Sequence, residues 1–490
     1  MRPLILISAL VWAGCAAETE PQPPPTDRFV YPSGIVHLPV PGDPSKQGAL
    51  FVASANFDKC FDTGAVLALD LDNLGLPAIG STVGSPVETI TDLKVAPESA
   101  VQIESFAGQM AVWRNPAGGA PRLFVPTRAE ENYLHAIDIQ GKTQLECVNE
   151  QGRNCLSGAL SLTRDIENAV EDQPRAPAPL GVTVNDIGEG GEPEVWVTHV
   201  EAADSPARSA RNFQTYVVHI PAANQGELSL SADNFIPLTS GGLSIGGAHA
   251  TAVGQRYVYV TGRGYVAADA AQFAGFLLRL IDRGNKSRIL ETDLGAIYRT
   301  LEARDVLLGG YTADPNPATF KNPETDNSRE RIYIVARGPD TLLVVDVLGV
   351  HRARPSISVV NAVLLPGGAS YAALIRRGTS AMNDDIVAVT STATSRTRGA
   401  VVLYDTRLGQ IVKQVDDVGR QPYGIAVHHD AAANRARLFV TNFSEGRVAV
   451  IDIPDLTRPQ GAELVAYLGA PQGRDEKQGT STCEPQEIVP

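Results

Sequence analysis

The sequence lacks a long hydrophobic run in its body, an excess of positive charge and any closely spaced pair of cysteines. Of its 490 residues, 41 are Lys or Arg and 55 are Asp or Glu, which gives a formal net charge of −14. A surface this acidic repels phosphate backbones, so we expect no nucleic-acid partner. Beyond the N-terminus no uninterrupted apolar run reaches the roughly 18 residues of a membrane-spanning helix, so we expect no such segment there.

Motifs for metals, haem and nucleophilic catalysis are also missing. The five cysteines form neither C-x-x-C nor C-x-x-C-H, and the eight histidines form neither H-E-x-x-H nor H-x-H. These absences argue against zinc ribbons, thioredoxin-like sites and c-type haem. Asp58, Asp70 and Asp72 lack the EF-hand spacing. Gly242–Gly246 matches G-x-S-x-G, but the following sequence predicts strands, whereas a nucleophile elbow needs a helix. We therefore expect no metal and no cofactor, and whether the protein is an enzyme stays open.

The N-terminus has the features of a bacterial lipoprotein signal peptide. A single Arg precedes the apolar run Leu4–Trp12, which is too short to cross a bilayer. Ala13-Gly14-Cys15 resembles the lipobox, although Trp12 stands where that motif usually has an aliphatic residue. We predict a signal peptide over residues 1–14, a lipidated Cys15 and a Pro-rich linker over 15–29. Cleavage near Ala17, or an uncleaved anchor, is the alternative.

A repeated strand pattern fills residues 30–470. An aliphatic–aromatic–aliphatic triplet occurs six times, and a seventh copy has lost the aromatic residue. The copies are Leu50–Val52, Leu123–Val125, Val195–Val197, Val258–Val260, Ile332–Ile334, Val387–Val389 and Leu438–Val440. A second apolar strand follows each copy, and six of these strands end in an aspartate that we expect to cap a turn. These aspartates are Asp70, Asp138, Asp282, Asp346, Asp405 and Asp452.

The number and spacing of these copies predict an all-β fold. Asp405 and Asp452 are separated by close to the roughly 45–50 residues of a four-stranded blade. Small-residue strands such as Pro179–Val182 and Pro422–Val427 precede the triplets and suit the crowded centre of a ring. We predict a seven-bladed β-propeller of four-stranded antiparallel blades over 30–470, with a tail at 471–490. We assign the extra length to insertions at Lys142–Pro177, Glu201–Phe213 and Asn285–Arg329.

The last repeat resembles a known group of proteins. Pro422–Ala426, Arg437–Asn442 and Gly446–Asp452 are similar to a blade of the YncE-like and lactonase-like propellers. This resemblance implies a seven-bladed propeller in the bacterial periplasm or on the cell surface. The group contains both binding proteins and enzymes, so it implies a fold and not an activity.

The remaining four cysteines predict two disulfides if Cys15 carries lipid. Cys147 and Cys155 flank a polar loop that contains Gly152 and can fold back on itself. Cys60 and Cys483 would tie the first blade to the C-terminal tail. Disulfides suit an oxidising compartment, so we expect the protein in the bacterial cell envelope, on the periplasmic side or the outer-membrane surface. We also expect it to be a monomer that is held to the membrane only by its lipid.

One face of the predicted ring collects the candidate ligand-binding residues. The loops after the second strand of each blade and the loops between blades must emerge on the same face. An arginine follows the aromatic residue of its triplet by four positions in three blades, at Arg128, Arg263 and Arg337. We expect these arginines either to bind a carboxylate or to pair with neighbouring acids such as Glu130 or Asp340. Further candidates on this face or near the axis are His199, His249 and Asn442. The leading hypothesis is a binding or scaffold module for a polar ligand or protein partner, and the alternative is a lactonase-like or metal-dependent hydrolase with its site at the channel mouth.

Overall fold

Seven antiparallel sheets surround a central axis in the computed structural model, so the predicted seven-bladed β-propeller is confirmed. The structure describes residues 22–472 except 41, 44–45, 82–83, 130–131, 151, 164–177, 189–190, 201–215, 239–246, 264–275, 316–322, 378–381, 383 and 393–396. Apart from one short outer strand, each blade uses strands that follow one another along the chain, and its first strand lies nearest the axis.

The first three blades comprise thirteen of the first fourteen strands. Blade 1 contains β1 (Pro32–Leu38), β2 (Ala49–Ser54), β3 (Gly64–Asp70) and β5 (Ala100–Ile103), whereas β4 (Glu88–Ile90) leaves this blade. Blade 2 contains β6 (Ala111–Trp113), β7 (Arg122–Thr127), β8 (Tyr133–Gln140), β9 (Gln144–Cys147) and β10 (Leu160–Ser161), and the last two both pair with β8. Blade 3 contains β11 (Pro179–Asn185), β12 (Glu194–His199), β13 (Tyr216–Ile220) and β14 (Phe235–Pro237).

The other four blades comprise the remaining strands. Blade 4 contains β15 (Ala248–Val253), β16 (Tyr257–Gly262), β17 (Leu277–Asp282) and β18 (Ile289–Asp293). Blade 5 contains β19 (Glu302–Thr312), β20 (Arg329–Arg337), β21 (Thr341–Leu348) and β22 (Ser356–Leu364). Blade 6 contains β23 (Ala369–Arg376), β24 (Asp385–Ser391), β25 (Arg398–Asp405) and β26 (Gln410–Arg420). Blade 7 contains β27 (Pro422–Asp430), β28 (Arg435–Asn442), β29 (Arg447–Ile453) and β30 (Glu463–Leu468), with β4 added outside.

Helical structure among the described residues is limited to single turns. One short α-helix, α1 (Leu294–Tyr298), follows β18. The 3-10 turns are Pro97–Ser99, Ala232–Asn234, Pro323–Thr325 and Pro459–Gly461. No helix in the described part of the chain is long and apolar enough to span a bilayer.

The hydrophobic core lies between neighbouring blades, which explains the repeated aromatic residue. Phe51 packs in a cluster shared by blades 1 and 2, and Tyr333 packs in one shared by blades 5 and 6. Phe439 belongs to the cluster that joins blade 7 to blade 1. Ala388 takes the equivalent place between blades 6 and 7, where Tyr467 and several aliphatic side chains fill the space. The triplet is therefore the core-forming centre of each second strand.

The repeated aspartates pair with cations as well as capping turns. Asp70, Asp282 and Asp405 accept an N–H from two residues further on, as expected for turn caps. All six aspartates also form ion pairs with a basic side chain, and the pairs are Asp70–Lys142, Asp138–Arg122, Asp282–Arg256, Asp346–Arg331, Asp405–Arg377 and Asp452–Arg437. The strand pattern predicted the turn caps but not these ion pairs.

All five arginines in these pairs also reach the following blade, and we call them the inter-blade arginines. Each donates to a backbone carbonyl there, and the pairs are Arg122–Ala223, Arg256–His351, Arg331–Met382, Arg377–Leu456 and Arg437–Pro77. A guanidinium has enough donors to bind a carboxylate in its own blade and a carbonyl in the next. The repeated Asp thus orients a side chain that joins two sheets.

Ring closure depends on contacts between the two ends of the described chain. Strand β4 pairs in parallel with β30, and Thr441 donates a hydrogen bond to the carbonyl of Ser33. Arg437 reaches both Gln47 and Pro77 of blade 1. Blade 7 therefore takes its four antiparallel strands from the C-terminal part of the described chain, and β4, from the segment between β3 and β5 of blade 1, joins it as a fifth, outer strand.

Two of the three predicted insertions contain blade strands, so those assignments were wrong. Asn285–Arg329 includes β18, α1 and the whole of β19, which is the innermost strand of blade 5. Lys142–Pro177 includes β9 and β10. The many polar side chains in these strands hid the apolar pattern. Glu201–Phe213 lies outside the described residues.

The predicted loop disulfide is present. Cys147 and Cys155 are bonded to each other, as expected from the short polar loop between them. Cys60 is also disulfide-bonded, whereas Cys483 and the predicted lipidation site Cys15 lie outside the described residues. The Cys60–Cys483 pairing therefore stays a prediction.

Candidate functional site

A cavity opens at the axis on the face that carries the predicted ligand-binding residues. The start of each first strand pairs with the end of the second strand, as in Ala248 with Gly262 and Glu302 with Arg337. Both loop sets therefore emerge together, as expected. The cavity, which we call the axial cavity, has a volume of about 530 Å³. Its wall has an arginine side and an aromatic side.

The arginine side consists of Arg128, Arg304 and Arg337, which all line the axial cavity. Arg337 donates to the carbonyls of Gly368 and Ala369, which fixes its guanidinium across the gap between blades 5 and 6. Burial, and then the charge of Arg304, lower the pKa of Arg337. The Nη1 atom of Arg128 is buried without a hydrogen-bond partner.

Glu302 lies close to two of these arginines and to Arg263. Its carboxylate lies 3.1 Å from Arg263, 2.8 Å from Arg304 and 3.9 Å from Arg337. Asp340 lies 4.0 Å from Arg337. Among the described residues, four guanidiniums, counting Arg128, thus lie near two carboxylates, which leaves a local excess of positive charge on an acidic protein. A small anion is the complement of such a site.

His249 lies beside this cluster in a bulge of β15. The side chain is fully buried, and neither ring nitrogen has a hydrogen-bond partner. Burial lowers the pKa of His249 far below 6.5, and the charges of Arg304, Arg263, Arg337 and Arg128 lower it further. The imidazole is therefore neutral at pH 7, when one of its nitrogens donates and the other accepts.

The aromatic side consists of Phe57, Phe106, Tyr371, Tyr423 and Phe443. The hydroxyls of Tyr371 and Tyr423 are hydrogen-bonded at 2.9 Å. Burial, and then the neighbouring Tyr423, raise the pKa of Tyr371, so its hydroxyl stays protonated. Phe57 is 50% exposed, although it belongs to this ring cluster. The cavity therefore presents apolar rings opposite the guanidiniums.

A second cavity occupies the other half of the channel, and Ser33 and Tyr371 line both cavities. Its volume is about 710 Å³. Asp305 on β19 lines it and accepts hydrogen bonds from the backbone N–H groups of Val306 and Ala372. Burial raises the pKa of Asp305 to about 7. This carboxyl can therefore exchange a proton near neutral pH.

His249 and the other predicted site residues are not among the residues that line the axial cavity. His199 is buried and contacts the carbonyl of Tyr216 through a ring nitrogen, and Asn442 donates to the carbonyl of Val418. Arg263 lies at the rim, where its side chain is 49% exposed. Glu130 lies outside the described residues. Among the described residues, no group of three or more His, Cys, Asp or Glu side chains is placed to hold a metal ion.

Sequence reasoning missed Arg304, Asp305 and the two tyrosines. Arg304 and Asp305 belong to β19, which was assigned to an insertion. Tyr371 and Tyr423 occur early in the first strands β23 and β27, where small residues were expected. A large ring in an otherwise small-residue strand was the available signal, because such a strand borders the axis.

Comparisons with known proteins identify no family. No family model and no curated protein matches the chain. Similar solved structures include Kuenenia stuttgartiensis hydrazine synthase, with 11% identity, a TM-score of 0.46 and coverage of 89% of this chain and 99% of that chain. They also include the Pseudomonas aeruginosa periplasmic gluconolactonase, with 10% identity, a TM-score of 0.44 and coverage of 90% and 97%. Similarities at this level carry no argument about activity.

Proposed function

We propose that this protein binds a small organic anion in the axial cavity. The observation that carries this proposal is the set of three cavity-lining arginines, one of which has a buried donor without a partner. An ionised carboxylate, sulfonate or phosphate accepts two parallel hydrogen bonds from a guanidinium. The volume of about 530 Å³ lies within the range of small-molecule sites.

The neutral imidazole of His249, whose nitrogens lack hydrogen-bond partners, also supports this proposal. A buried polar group without a hydrogen bond costs folding free energy, and both nitrogens of His249 lack a partner. A ligand that reaches the imidazole, directly or through a water molecule, would supply the missing partner. Because the four neighbouring arginines disfavour the imidazolium, the ring can hydrogen-bond to an anion without adding charge.

Removing two arginines of the cavity is expected to abolish most of the affinity. In an Arg128→Ala/Arg304→Ala variant, gluconate and 2-naphthoate should bind about 100-fold more weakly, since each lost charge-assisted hydrogen bond contributes about 1.4 kcal/mol or more. Isothermal titration calorimetry measures this loss. The control is Arg407→Ala, which removes a half-exposed arginine paired with Asp384 on the opposite face. Equal losses in both variants, or no binding by the wild-type protein, would contradict the proposal.

A hydrolase with its site in the channel is the second candidate, and Asp305 is the observation that favours it. A carboxyl whose pKa is about 7 can both donate and accept a proton at neutral pH. If the protein opens lactone rings, Asp305→Asn should lower kcat for glucono-δ-lactone at least about 100-fold and remove the inflection near pH 7 from the rate profile. Spectrophotometric proton release measures both. Equal rates in the two proteins would eliminate Asp305 as the catalytic acid or base.

We also propose that the protein is exported and held to a membrane of the bacterial envelope through lipidated Cys15. The Cys147–Cys155 disulfide supports an oxidising compartment. The apolar run and the small residues before Cys15 support the lipid anchor.

A further inference from the structure

The aromatic side of the axial cavity is a continuous network of rings. The ring centroid of Phe57 lies 4.9 Å from that of Phe106 and 5.5 Å from that of Phe443, and both pairs are edge to face. Tyr423 lies 5.9 Å from Phe443 and 4.6 Å from Tyr371. The rings come from the loops and first strands of blades 1, 6 and 7 and from the segment leading into blade 2. Since each ring is held in place by contacts with its neighbours, this wall exists before any ligand binds.

We infer that the anion bound here has a flat aromatic body, with the acid group against the arginine side and the body against the phenylalanines. This inference rests on the proposed anion binding and names the class of anion. Among the described residues that line the cavity, only Arg128, Arg304 and Arg337 are charged, whereas Ala55 and Ala107 add small apolar surface. A ligand that satisfies both sides has its charge at one end only.

A polyhydroxylated acid fits this wall less well than an aryl acid. Phenylalanine offers no donor or acceptor, so hydroxyl groups placed against Phe57, Phe106 and Phe443 would lose water without gaining a partner. The two tyrosine hydroxyls are already bonded to each other. An aromatic ring loses no hydrogen bonds on entering and gains edge or face contacts with several rings. The exposed half of the Phe57 side chain becomes covered in such a complex.

Three probes separate the contribution of charge from the contribution of the body. These are 2-naphthoate, 2-naphthalenemethanol, which has the same body without charge, and gluconate, which has the charge on a polyhydroxylated chain. We expect 2-naphthoate to bind at least about tenfold more tightly than either of the others, as measured by isothermal titration calorimetry on the full chain. Phe57→Ala should lower the ratio of naphthoate to gluconate affinity about tenfold, and Phe57→Tyr should restore most of it.

The control for loss of apolar surface is Leu408→Ala, because Leu408 is an exposed side chain in the turn after β25, away from the axis. Its naphthoate affinity should equal that of the wild type. Equal affinities for naphthoate and gluconate, unchanged by Phe57→Ala, would overturn the aromatic inference and leave anion binding intact. Naphthalenemethanol binding as tightly as naphthoate would instead overturn the role of the arginines. Failure of all three probes would overturn both.

Discussion

Replacing Arg437 by methionine is expected to lower the free energy of unfolding by about 3–5 kcal/mol. Arg437 and Asp452 are both fully buried, and two hydrogen bonds of 2.6 and 2.9 Å join them. Methionine fills much of the same volume but leaves the carboxylate of Asp452 in the interior without its cation. The substitution also removes the contacts with Gln47 and Pro77 that close the ring. Denaturant unfolding followed by circular dichroism measures the loss.

Two further variants test whether the buried charge is the cause. Arg437→Met/Asp452→Asn should recover part of the lost stability, since the neutral amide costs less to bury than the carboxylate. Arg407→Met removes an ion pair whose arginine is 49% exposed, and should change stability by at most about 1 kcal/mol. If Arg437→Met and Arg407→Met behave alike, the inter-blade arginines do not stabilise the ring.

Replacing Cys15 by serine is expected to transfer the protein from the membrane fraction to the soluble fraction. A lipid anchor binds the membrane through about 0.8 kcal/mol per buried CH₂, and serine cannot carry thioether-linked lipid. Fractionation of cells expressing each form, with mass spectrometry of the mature N-terminus, measures the change. The matched control is Cys60→Ser, which also removes a cysteine but leaves the anchor. Membrane association of the Cys15→Ser form would show that the N-terminal apolar run itself is the anchor.

The repeated triplets predicted the blades because their aromatic residues form the interfaces between sheets. Phe51, Phe124 and Phe439 must be buried in every blade arrangement of this kind, so the pattern survives in the sequence. Strand β19 was missed for the opposite reason. One side of a first strand borders the channel, so Glu302, Arg304 and Asp305 interrupt its apolar pattern and give it the composition of a loop.

The candidate site was predictable only where one strand position repeats. Arg128 and Arg337 were found because each follows the ring of its own triplet at the same offset, and both line the axial cavity. Arg263 shares that offset but lies at the rim. The hydrogen bonds of His199 and Asn442 to backbone carbonyls arise from packing between strands, and strand spacing does not specify them. The same limit applies to Tyr371 and Tyr423, which meet across two blades.

The construction of each blade from adjacent strands has a consequence for the order of folding. Six of the seven interfaces join blades that follow one another along the chain, so they can form as soon as the second blade is complete. The seventh joins β1 and β4 to strands at the opposite end of the chain, and its formation bears the loop-closure entropy of the whole ring. We therefore expect the seam between blades 7 and 1 to form last.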